Sequence, residues 1–269
     1  MTAISQLHVT TRPLWAPKAG NRVEEYEDAY WPERWLRRRG NRLRFAVADG
    51  ATETSFSALW AQQWVQCYGV GGCAPTRFDD SLAQEQAQWL QTVRSKPLPW
   101  YAEEKALSGA YAALIGLELL ATRDGRLLWQ ALALGDCCLA QVRHNELITF
   151  FPAGNTTYFT NSPYLLSSNP ARNHELPSAL KRREGTTAVG DTFYLMSDAL
   201  AHWFLGAYEA KVQPWRAFER VTASPNARRF HAWIDDLRAT HLLRNDDVTL
   251  LEIKLRKEED EGLGSTSRP

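Results

Sequence analysis

Several aspartates stand where a predicted apolar strand begins or ends, each beside a small or polar residue. They are Asp28, Asp49, Asp136, Asp198 and the adjacent pair Asp246 and Asp247. If the fold gathers these strand ends on one rim, the carboxylates form a dense anionic site that needs counter-charge to stay ionised. Oxygen ligands without a neighbouring His or Cys favour Mg²⁺ or Mn²⁺ over zinc.

The segment around Asp49 and Gly50 carries this pattern most clearly. An apolar run over Phe45–Ala48 ends at Asp49-Gly50, and apolar residues at helical spacing follow from Phe56. Gly50 lets its backbone carbonyl turn toward the same point as the Asp49 side chain. Because Asp-Gly is also an ordinary turn sequence, this segment alone leaves a cation site and a plain turn both open.

The elements that must position these acids are predicted as strands in hairpins and helices in runs of their own. The predicted strands are Ile4–Leu14, Leu43–Ala48, Tyr111–Ala121, Leu127–Leu134, Cys137–Arg143, Leu147–Phe151, Thr186–Val189, Thr192–Met196 and Asp247–Leu255. The predicted helices are one from Phe56 to about Cys67, then Asp79–Val93, Tyr101–Ser108, Ala199–Leu205, Pro214–Thr222 and Ala227–His241.

Three turn signals complete this prediction. Arg37–Asn41 is predicted as a hairpin tip, Gly190-Asp191 as the turn of a second hairpin, and the strands over 111–151 as an antiparallel meander. Strands joined as hairpins and helices in separate runs indicate an α+β protein with antiparallel sheets, not a βαβ fold.

Length and charge set the domain organisation and exclude some partners. The chain has 269 residues with 31 basic and 31 acidic side chains, so its balance favours neither a nucleic acid nor an anionic membrane. We expect one domain over residues 1–255, with 151–182 as a flap or irregular insert and 256–269 as a disordered tail. The eleven tryptophans are predicted to be core and rim residues.

The four cysteines contain no C-x-x-C pair and have no His-rich partner segment, which disfavours a zinc site. Cys67, Cys73, Cys137 and Cys138 are all predicted to be reduced and structural. With the lack of a basic-then-apolar signal at the N-terminus, this predicts a cytoplasmic location. The longest apolar run is too short to cross a membrane.

Five short motifs resemble, in order, those of the metal-dependent serine/threonine phosphatases of the protein phosphatase 2C (PPM) family. The resemblance covers roughly residues 20 to 255 and suggests a divergent bacterial-type member. The motifs are Glu27-Asp28-Ala29, Val47-Ala48-Asp49-Gly50, Gly135-Asp136, Ser197-Asp198-Ala199-Leu200 and Asp246-Asp247-Val248-Thr249.

This resemblance implies a four-layer α-β-β-α sandwich with two central antiparallel sheets. It also implies two divalent cations, Mn²⁺ or Mg²⁺, with a weaker third ion in some members. Asp49 would bridge the two ions, the Gly50 carbonyl would bind the second, and Asp198 and Asp246 would complete the first. Asp136 would help to hold the third ion.

The remaining roles also follow from the resemblance. Glu27, Asp28 and Asp247 would act through metal-bound waters, and Arg22 would bind the substrate phosphate, with Lys18 as the alternative. Asp49, Asp198 and Asp246 would support direct attack of a metal-bridging hydroxide on phosphoserine or phosphothreonine. The expected partner is a phosphorylated protein, opposite a Ser/Thr kinase, and the expected state is a monomer.

The chain departs from the family pattern at several of these positions. Many members carry a His, the proposed general acid, where this chain has Ala51, and glycines where it has Thr52 and Glu53. Asp247 stands where the family has Asn, which leaves open whether Asp246 or Asp247 binds metal. We expect these changes to affect the choice of substrate more than the binding of metal.

Other hydrolase classes fit the sequence less well. A haloacid dehalogenase-type phosphatase needs a nucleophilic Asp two residues before the strand-end Asp, where this chain has Val47. A Ser or Cys hydrolase needs a G-x-S-x-G motif or a Cys/His pair. The alternative that stays open is a pseudophosphatase, the same fold used as a binding or regulatory module.

Overall fold

A computed structural model describes residues 6–51, 56–73, 78–95, 108–159, 163–223 and 226–257. The predicted helix Tyr101–Ser108 lies outside these residues except for Ser108, as do the last twelve residues of the predicted tail. No helix in the described part is long and apolar enough to cross a membrane.

Two antiparallel sheets form the centre of the molecule. The first sheet has the strand order β3-β1-β12-β11-β7-β8, and the second has β10-β6-β5-β4-β2 with β9 paired to β5. The first sheet contains β1 (Leu7–Ala16), β3 (Leu36–Gly40), β7 (Cys138–Arg143), β8 (Glu146–Phe151), β11 (Thr192–Met196) and β12 (Val248–Leu255). The second contains β2 (Ala29–Trp31), β4 (Arg42–Gly50), β5 (Tyr111–Ala121), β6 (Leu127–Leu134), β9 (Leu166–Ser167) and β10 (Lys181–Thr186).

Helices cover the outer face of each sheet. Those on the second sheet are α1 (Ser57–Val70) and α2 (Phe78–Arg94), and a short helix, α3 (Leu176–Ala179), follows later. Those on the first sheet are α4 (Asp198–Glu209), α5 (Trp215–Thr222) and α6 (Arg228–Ala239). These layers confirm the predicted α-β-β-α sandwich.

Three apolar clusters hold the layers together. The cluster between the sheets includes Phe45, Trp129, Phe193, Leu251 and Ile253, all at most 1% exposed. Alternation along each strand sends the opposite residues outward, because successive side chains point to opposite faces.

The two outer clusters are rich in aromatic side chains. On the first sheet, Tyr194 and Met196 pack against Phe204, Phe218 and Phe230 of the helices. On the second sheet, Trp60, Trp64, Tyr68, Phe78 and Trp89 form the other outer core. Burial of Trp60, Trp64, Trp89 and Trp129 confirms the core prediction for these tryptophans.

Three predicted connections are wrong because the chain changes sheets where a hairpin was expected. Arg37–Gly40 belongs to strand β3, which pairs with β1, while β4 enters the other sheet. The 111–151 block is two strand pairs, β5 with β6 and β7 with β8, in different sheets. Likewise, β10 pairs with β6 and β11 with β12. Apolar alternation predicts a strand but does not specify its partner.

Residues 151–182, predicted as a flap or insert, contain short elements: β9, α3, the start of β10 and 3₁₀ turns at Thr156–Tyr158 and Pro170–Arg172. Asn173 ties this segment together, because its side chain accepts from Ser167 N at 3.0 Å and donates to Ser167 O at 2.8 Å. The extent of the domain and the role of this segment stay predictions.

The prediction that all four cysteines are reduced is wrong, because Cys67 and Cys73 form a disulfide. Gly71 ends α1 in the left-handed region at φ +89°, which turns the chain back on itself. The Cα atoms of Cys67 and Cys73 are then 5.4 Å apart, within bonding range. Cys137 and Cys138 are reduced and buried, as predicted. The disulfide removes one of the two grounds for the cytoplasmic expectation.

Candidate functional site

The strand-end acids predicted from the sequence come from both sheets and meet at one rim. In the second sheet, Ala29 pairs with Ala48, so Asp28 at the start of β2 lies beside Asp49 at the end of β4. In the first sheet, Met196 pairs with Leu250, so Asp198 after β11 lies at the same end as Asp246 and Asp247 before β12. The antiparallel register therefore positions these acids.

Asp136 joins this rim from the connection between the sheets. It lies between the end of β6 in the second sheet and Cys138, which pairs with Met196 in the first. Asp136 is 5% exposed, and its carboxyl is close enough to Asp198 and Asp246 for their charges to raise its pKa. The acidic cluster is therefore defined as Asp28, Asp49, Asp136, Asp198 and Asp246.

Thr249 links the two sheets through hydrogen bonds beside the acidic cluster. Its hydroxyl donates to Asp28 Oδ2 at 2.6 Å and is also hydrogen-bonded to the Tyr26 hydroxyl. Its backbone N–H donates to Ser197 Oγ at 2.9 Å. Thr249 is fully buried, so these bonds are shielded from water and fix the relative position of Asp28 and the Ser197-Asp198 turn.

Gly50 brings the end of β4 against the segment that carries Glu27. A Cβ atom at position 50 would lie 2.8 Å from the Glu27 carbonyl oxygen and 2.9 Å from the Ser57 carbonyl carbon. Both contacts involve backbone atoms, which cannot move aside as a side-chain end can. Glycine is therefore required here by close approach, and not only by the turn that the sequence suggested.

Asp247 has a different environment from Asp246. Its two carboxylate oxygens accept the backbone N–H groups of Lys18 and Glu27, each at 2.7 Å. Asp247 thus anchors the loop before β2 to the start of β12. The Asp246 carboxylate is near enough to Asp49, Asp136 and Asp198 to raise the pKa of each. The charge of Asp247 also reaches the cluster, because it raises the pKa of Asp28, so both aspartates lie close to these acids.

Burial and mutual repulsion perturb the acidic cluster. Burial raises the pKa of Asp49 well above its ordinary range, and the charges of Asp28, Asp198, Asp136 and Asp246 add to this effect. Burial likewise raises the pKa of Asp28 and of Asp198. Burial, followed by the charge of Asp198, raises the pKa of Asp136 to about 7. A cation bound among these acids stabilises their ionised forms.

The residues at this rim fit divalent cations. The donors are carboxylate oxygens, and Asp28 Oδ1 is a buried oxygen that has no hydrogen-bond partner among the residues that the structure describes. A buried acceptor left unsatisfied is costly, and a cation or its water would satisfy it. The fit is to hard, oxygen-bound ions such as Mg²⁺ or Mn²⁺.

Arg244 is a cation at this rim that no motif or spacing in the sequence marks. Its guanidinium donates to Asp198 Oδ2 and lowers the pKa of Asp198 and of Asp136, against the effect of burial. The ion pair is partly exposed on the Arg244 side. Arg244 therefore supplies part of the counter-charge that the acids require.

The remaining predicted residues lie at the edge of the rim or beyond it. The Glu27 carboxylate accepts from the Ser57 hydroxyl. Arg22 lies on an exposed turn, its side chain 80% exposed, and within the described residues its ion pair is with Glu25 at 3.4 Å. Ala51 donates its backbone N–H to Tyr111 O at 3.0 Å and carries only a methyl group. Thr52 and Glu53 lie outside the described residues.

The acidic cluster does not bring three ligand atoms within 4.8 Å of one another in the described residues, and the one group that does is not a metal site. In the part of the chain that the structure describes, atoms of Cys67, Cys73 and Glu85 lie within 4.8 Å of one another. The two sulfurs are already bonded to each other, so they are not thiolate ligands.

We expect the metal-free protein to lose stability as pH rises. The pKa of Asp136 is raised from 3.8 to about 7 in the folded state, so between those values the folded protein holds more protons than the unfolded chain. The free energy of unfolding, measured with urea in EDTA, should therefore fall from pH 5 to pH 7. The slope should approach about 1.4 kcal/mol per pH unit for each carboxyl that keeps its proton only when folded.

Asp136→Asn provides the control for this pH dependence, because it removes one of these carboxyls and should flatten the slope. Stability that is constant or rises over this range in the wild-type protein would contradict the raised pKa of Asp136.

The fold is similar to that of solved protein phosphatases. The catalytic domain of the serine/threonine protein phosphatase PstP, in complex with two manganese ions, matches with a TM-score of 0.57 and 16% identity, over 93% of this chain and all of that one. PppA, described as a regulatory component of T6SS in Pseudomonas aeruginosa, matches with a TM-score of 0.53 and 16% identity, over 93% of this chain and 100% of that one.

The photosystem II phosphatase PBCP matches with a TM-score of 0.53 and 14% identity, over 92% of this chain and 99% of that one. No protein-family model and no curated protein sequence matches the chain. At these identities the likeness concerns the fold, and the chain has the fold of the protein phosphatases 2C.

Proposed function

We propose that this chain is a divergent PPM phosphatase that hydrolyses phosphoserine or phosphothreonine in proteins with the help of Mn²⁺ or Mg²⁺. The observation that carries the proposal is the convergence of Asp28, Asp49, Asp136, Asp198 and Asp246, from both sheets, on one rim. The raised pKa values of Asp28, Asp49, Asp136 and Asp198 reflect a cost that is offset when cations bind. The similarity to phosphatase structures supports the same reaction.

The proposed roles follow the resemblance of the five motifs to the family. Asp49 would be the bridging ligand, and the proposal is supported by the effect of every other carboxylate in the acidic cluster on its pKa. Asp198 and Asp246 complete the first site, the Gly50 carbonyl serves the second, and Asp136 a weaker third. Two divalent ions held by these residues would supply Lewis-acid charge and lower the pKa of a bound water.

The surrounding residues hold this arrangement in place. Thr249 and Asp247 fix the acids of the two sheets relative to each other through hydrogen bonds of 2.6–2.7 Å. Glu27 and Asp28 contribute through water, and the unpartnered Oδ1 of Asp28 is suited to accept one. Because position 51 is Ala, it supplies no proton to the leaving group, and that proton comes from water or another side chain.

Phosphatase turnover tests the proposal directly. The wild-type chain should hydrolyse p-nitrophenyl phosphate and a phosphothreonine peptide only with Mn²⁺ or Mg²⁺ present. Asp49→Asn removes the bridging charge at nearly constant shape and should lower turnover by about a hundredfold or more. Wild-type turnover no greater than that of Asp49→Asn would support the alternative, a pseudophosphatase that uses this fold to bind or regulate.

Calorimetry distinguishes the two adjacent aspartates. Asp246→Asn and Asp198→Ala should each weaken Mn²⁺ binding by about tenfold or more, because each removes a charged ligand. Asp247→Asn is the comparison and should weaken Mn²⁺ binding less than Asp246→Asn, since it removes no proposed ligand and loses only one of the two backbone N–H bonds that Asp247 accepts. Equal losses for the two Asn variants would mean that both carboxylates bind the ions.

The phosphate-binding role proposed for Arg22 can be tested against Arg244, the arginine that contacts the acidic cluster. Arg22→Ala should raise KM for a phosphothreonine peptide by about tenfold while leaving kcat within about twofold, the pattern for loss of ground-state binding. Arg244→Ala is the comparison, since Arg244 contacts the acidic cluster. If KM rises only in Arg244→Ala, the assignment to Arg22 is wrong.

A further inference from the structure

A cleft lies on the outer face of the first sheet, beyond the end of helix α5. Its floor is built from residues that the register places side by side on that face, with Thr10 opposite both Lys254 and Arg37, and Arg12 opposite Glu252. Thr222 and Ala223 at the end of α5 form one wall, and the cavity has a volume of about 600 Å³. The helices that cover Leu14 and Leu250 leave this part of the face open.

The charge of this cleft is strongly one-sided. Five cationic side chains line it against a single acid, Glu252, and we call it the basic cleft: Arg12, Arg37, Lys254, Arg256 and Lys257. Arg38 also borders the cavity but is not counted, because it pairs with Val9 and its guanidinium lies over Phe45 of the core between the sheets. Basic and acidic residues are equal in number over the whole chain, so this excess is a local feature. A concave surface of one sign concentrates the field on ligands of the opposite sign.

Glu252, the one acid in the basic cleft, already has a hydrogen-bond partner and an ion-pair partner. Glu252 accepts from the Thr222 hydroxyl at 2.9 Å and pairs with Lys254 at 2.9 Å. Arg12 donates to the Thr222 carbonyl and lies opposite Glu252, so it shares the charge of that carboxylate with Lys254. Arg256 donates to the Thr10 hydroxyl at 3.4 Å, a neutral partner that leaves its charge uncompensated. Arg37 and Lys257 have no ion-pair partner among the described residues. The cleft therefore holds positive charge that its own side chains do not neutralise.

An aromatic side chain stands at the edge of the charged floor. Trp35, just before β3, is 64% exposed and lines the basic cleft. An exposed Trp beside arginines is typical of protein-binding sites, where it supplies apolar area next to charge-assisted hydrogen bonds. The cavity of about 600 Å³ holds a few side chains, and its single tryptophan does not provide the series of stacking platforms that single-stranded nucleic acids use.

We propose that the basic cleft binds an acidic segment of a protein partner, with carboxylates paired to Arg37 and Arg256 and an apolar residue against Trp35. The site is separate from the acidic cluster. The basic cleft uses β1 up to Arg12 and β12 after Leu251, whereas the rim acids lie at the opposite ends of β11 and β12. The inference does not depend on the proposed phosphatase activity.

Fluorescence anisotropy with the full chain tests the proposal. The probe is a fluorescein-labelled peptide rich in Glu and Asp that carries one Leu, and the comparison peptide has Gln and Asn in place of the acids. We expect the acidic peptide to bind and the amide peptide not to bind. The double variant Arg37→Glu with Arg256→Glu should weaken binding by about tenfold or more, and added salt should weaken wild-type binding.

The matched control is Arg123→Glu with Arg183→Glu, the same charge change on exposed residues of the β5–β6 turn and of β10, and it should change affinity by less than about twofold. Equal loss in both double variants would overturn the proposal, because binding would then follow net charge. Tighter binding of a labelled single-stranded oligonucleotide than of the acidic peptide would also overturn it.

The chain's own acids provide the last test, because Glu258, Glu259, Asp260 and Glu261 follow Lys257 directly. A full-length variant with amides at these four positions should bind the acidic peptide about as well as wild type. If the peptide binds only to that variant, the chain's own acids satisfy the cleft, and the proposal of a partner segment is wrong.

Discussion

Repulsion among carboxylates that are fixed close together is the constraint on which the rest of this structure depends. The acids at the rim are buried enough to raise one another's pKa values, so the fold must supply the free energy that keeps them together. It does so with bonds that need both sheets, above all those of Thr249 to Asp28 and of Asp247 to the backbone of Lys18 and Glu27. The apolar cluster between the sheets provides the rigid base for these bonds.

The positions of the acids could be predicted from the sequence because each marks the end of an apolar segment. Asp49 follows four buried residues, and Asp198 follows a strand and begins a helix, patterns that depend on local alternation. The fold class followed for the same reason. What joined these positions into one hypothesis was the order of five motifs, since no single motif distinguishes a cation site from a turn.

Strand partners and long-range contacts could not be predicted in this way. The two segments Lys181–Thr186 and Thr192–Met196 are close in sequence but enter different sheets, because the partner of a strand is decided by packing and not by its own alternation. The disulfide and the ion pair of Arg244 with Asp198 were missed because cysteines six residues apart and an Arg in a loop carry no signal of their own. The roles of Asp247 and Thr249 depend on hydrogen bonds to residues far away in the sequence, which local patterns do not specify.

The pairing of β1 with β12 has a consequence for the order of assembly. The first and last strands lie side by side within one sheet, and the bond between Thr249 and Asp28 spans 221 residues. Contacts this distant raise the contact order, and the loop entropy they cost is recovered only late in folding. During synthesis on the ribosome, the first sheet cannot close until almost the whole chain has emerged. The acids of the two sheets therefore come close together only when the core that holds them can also form.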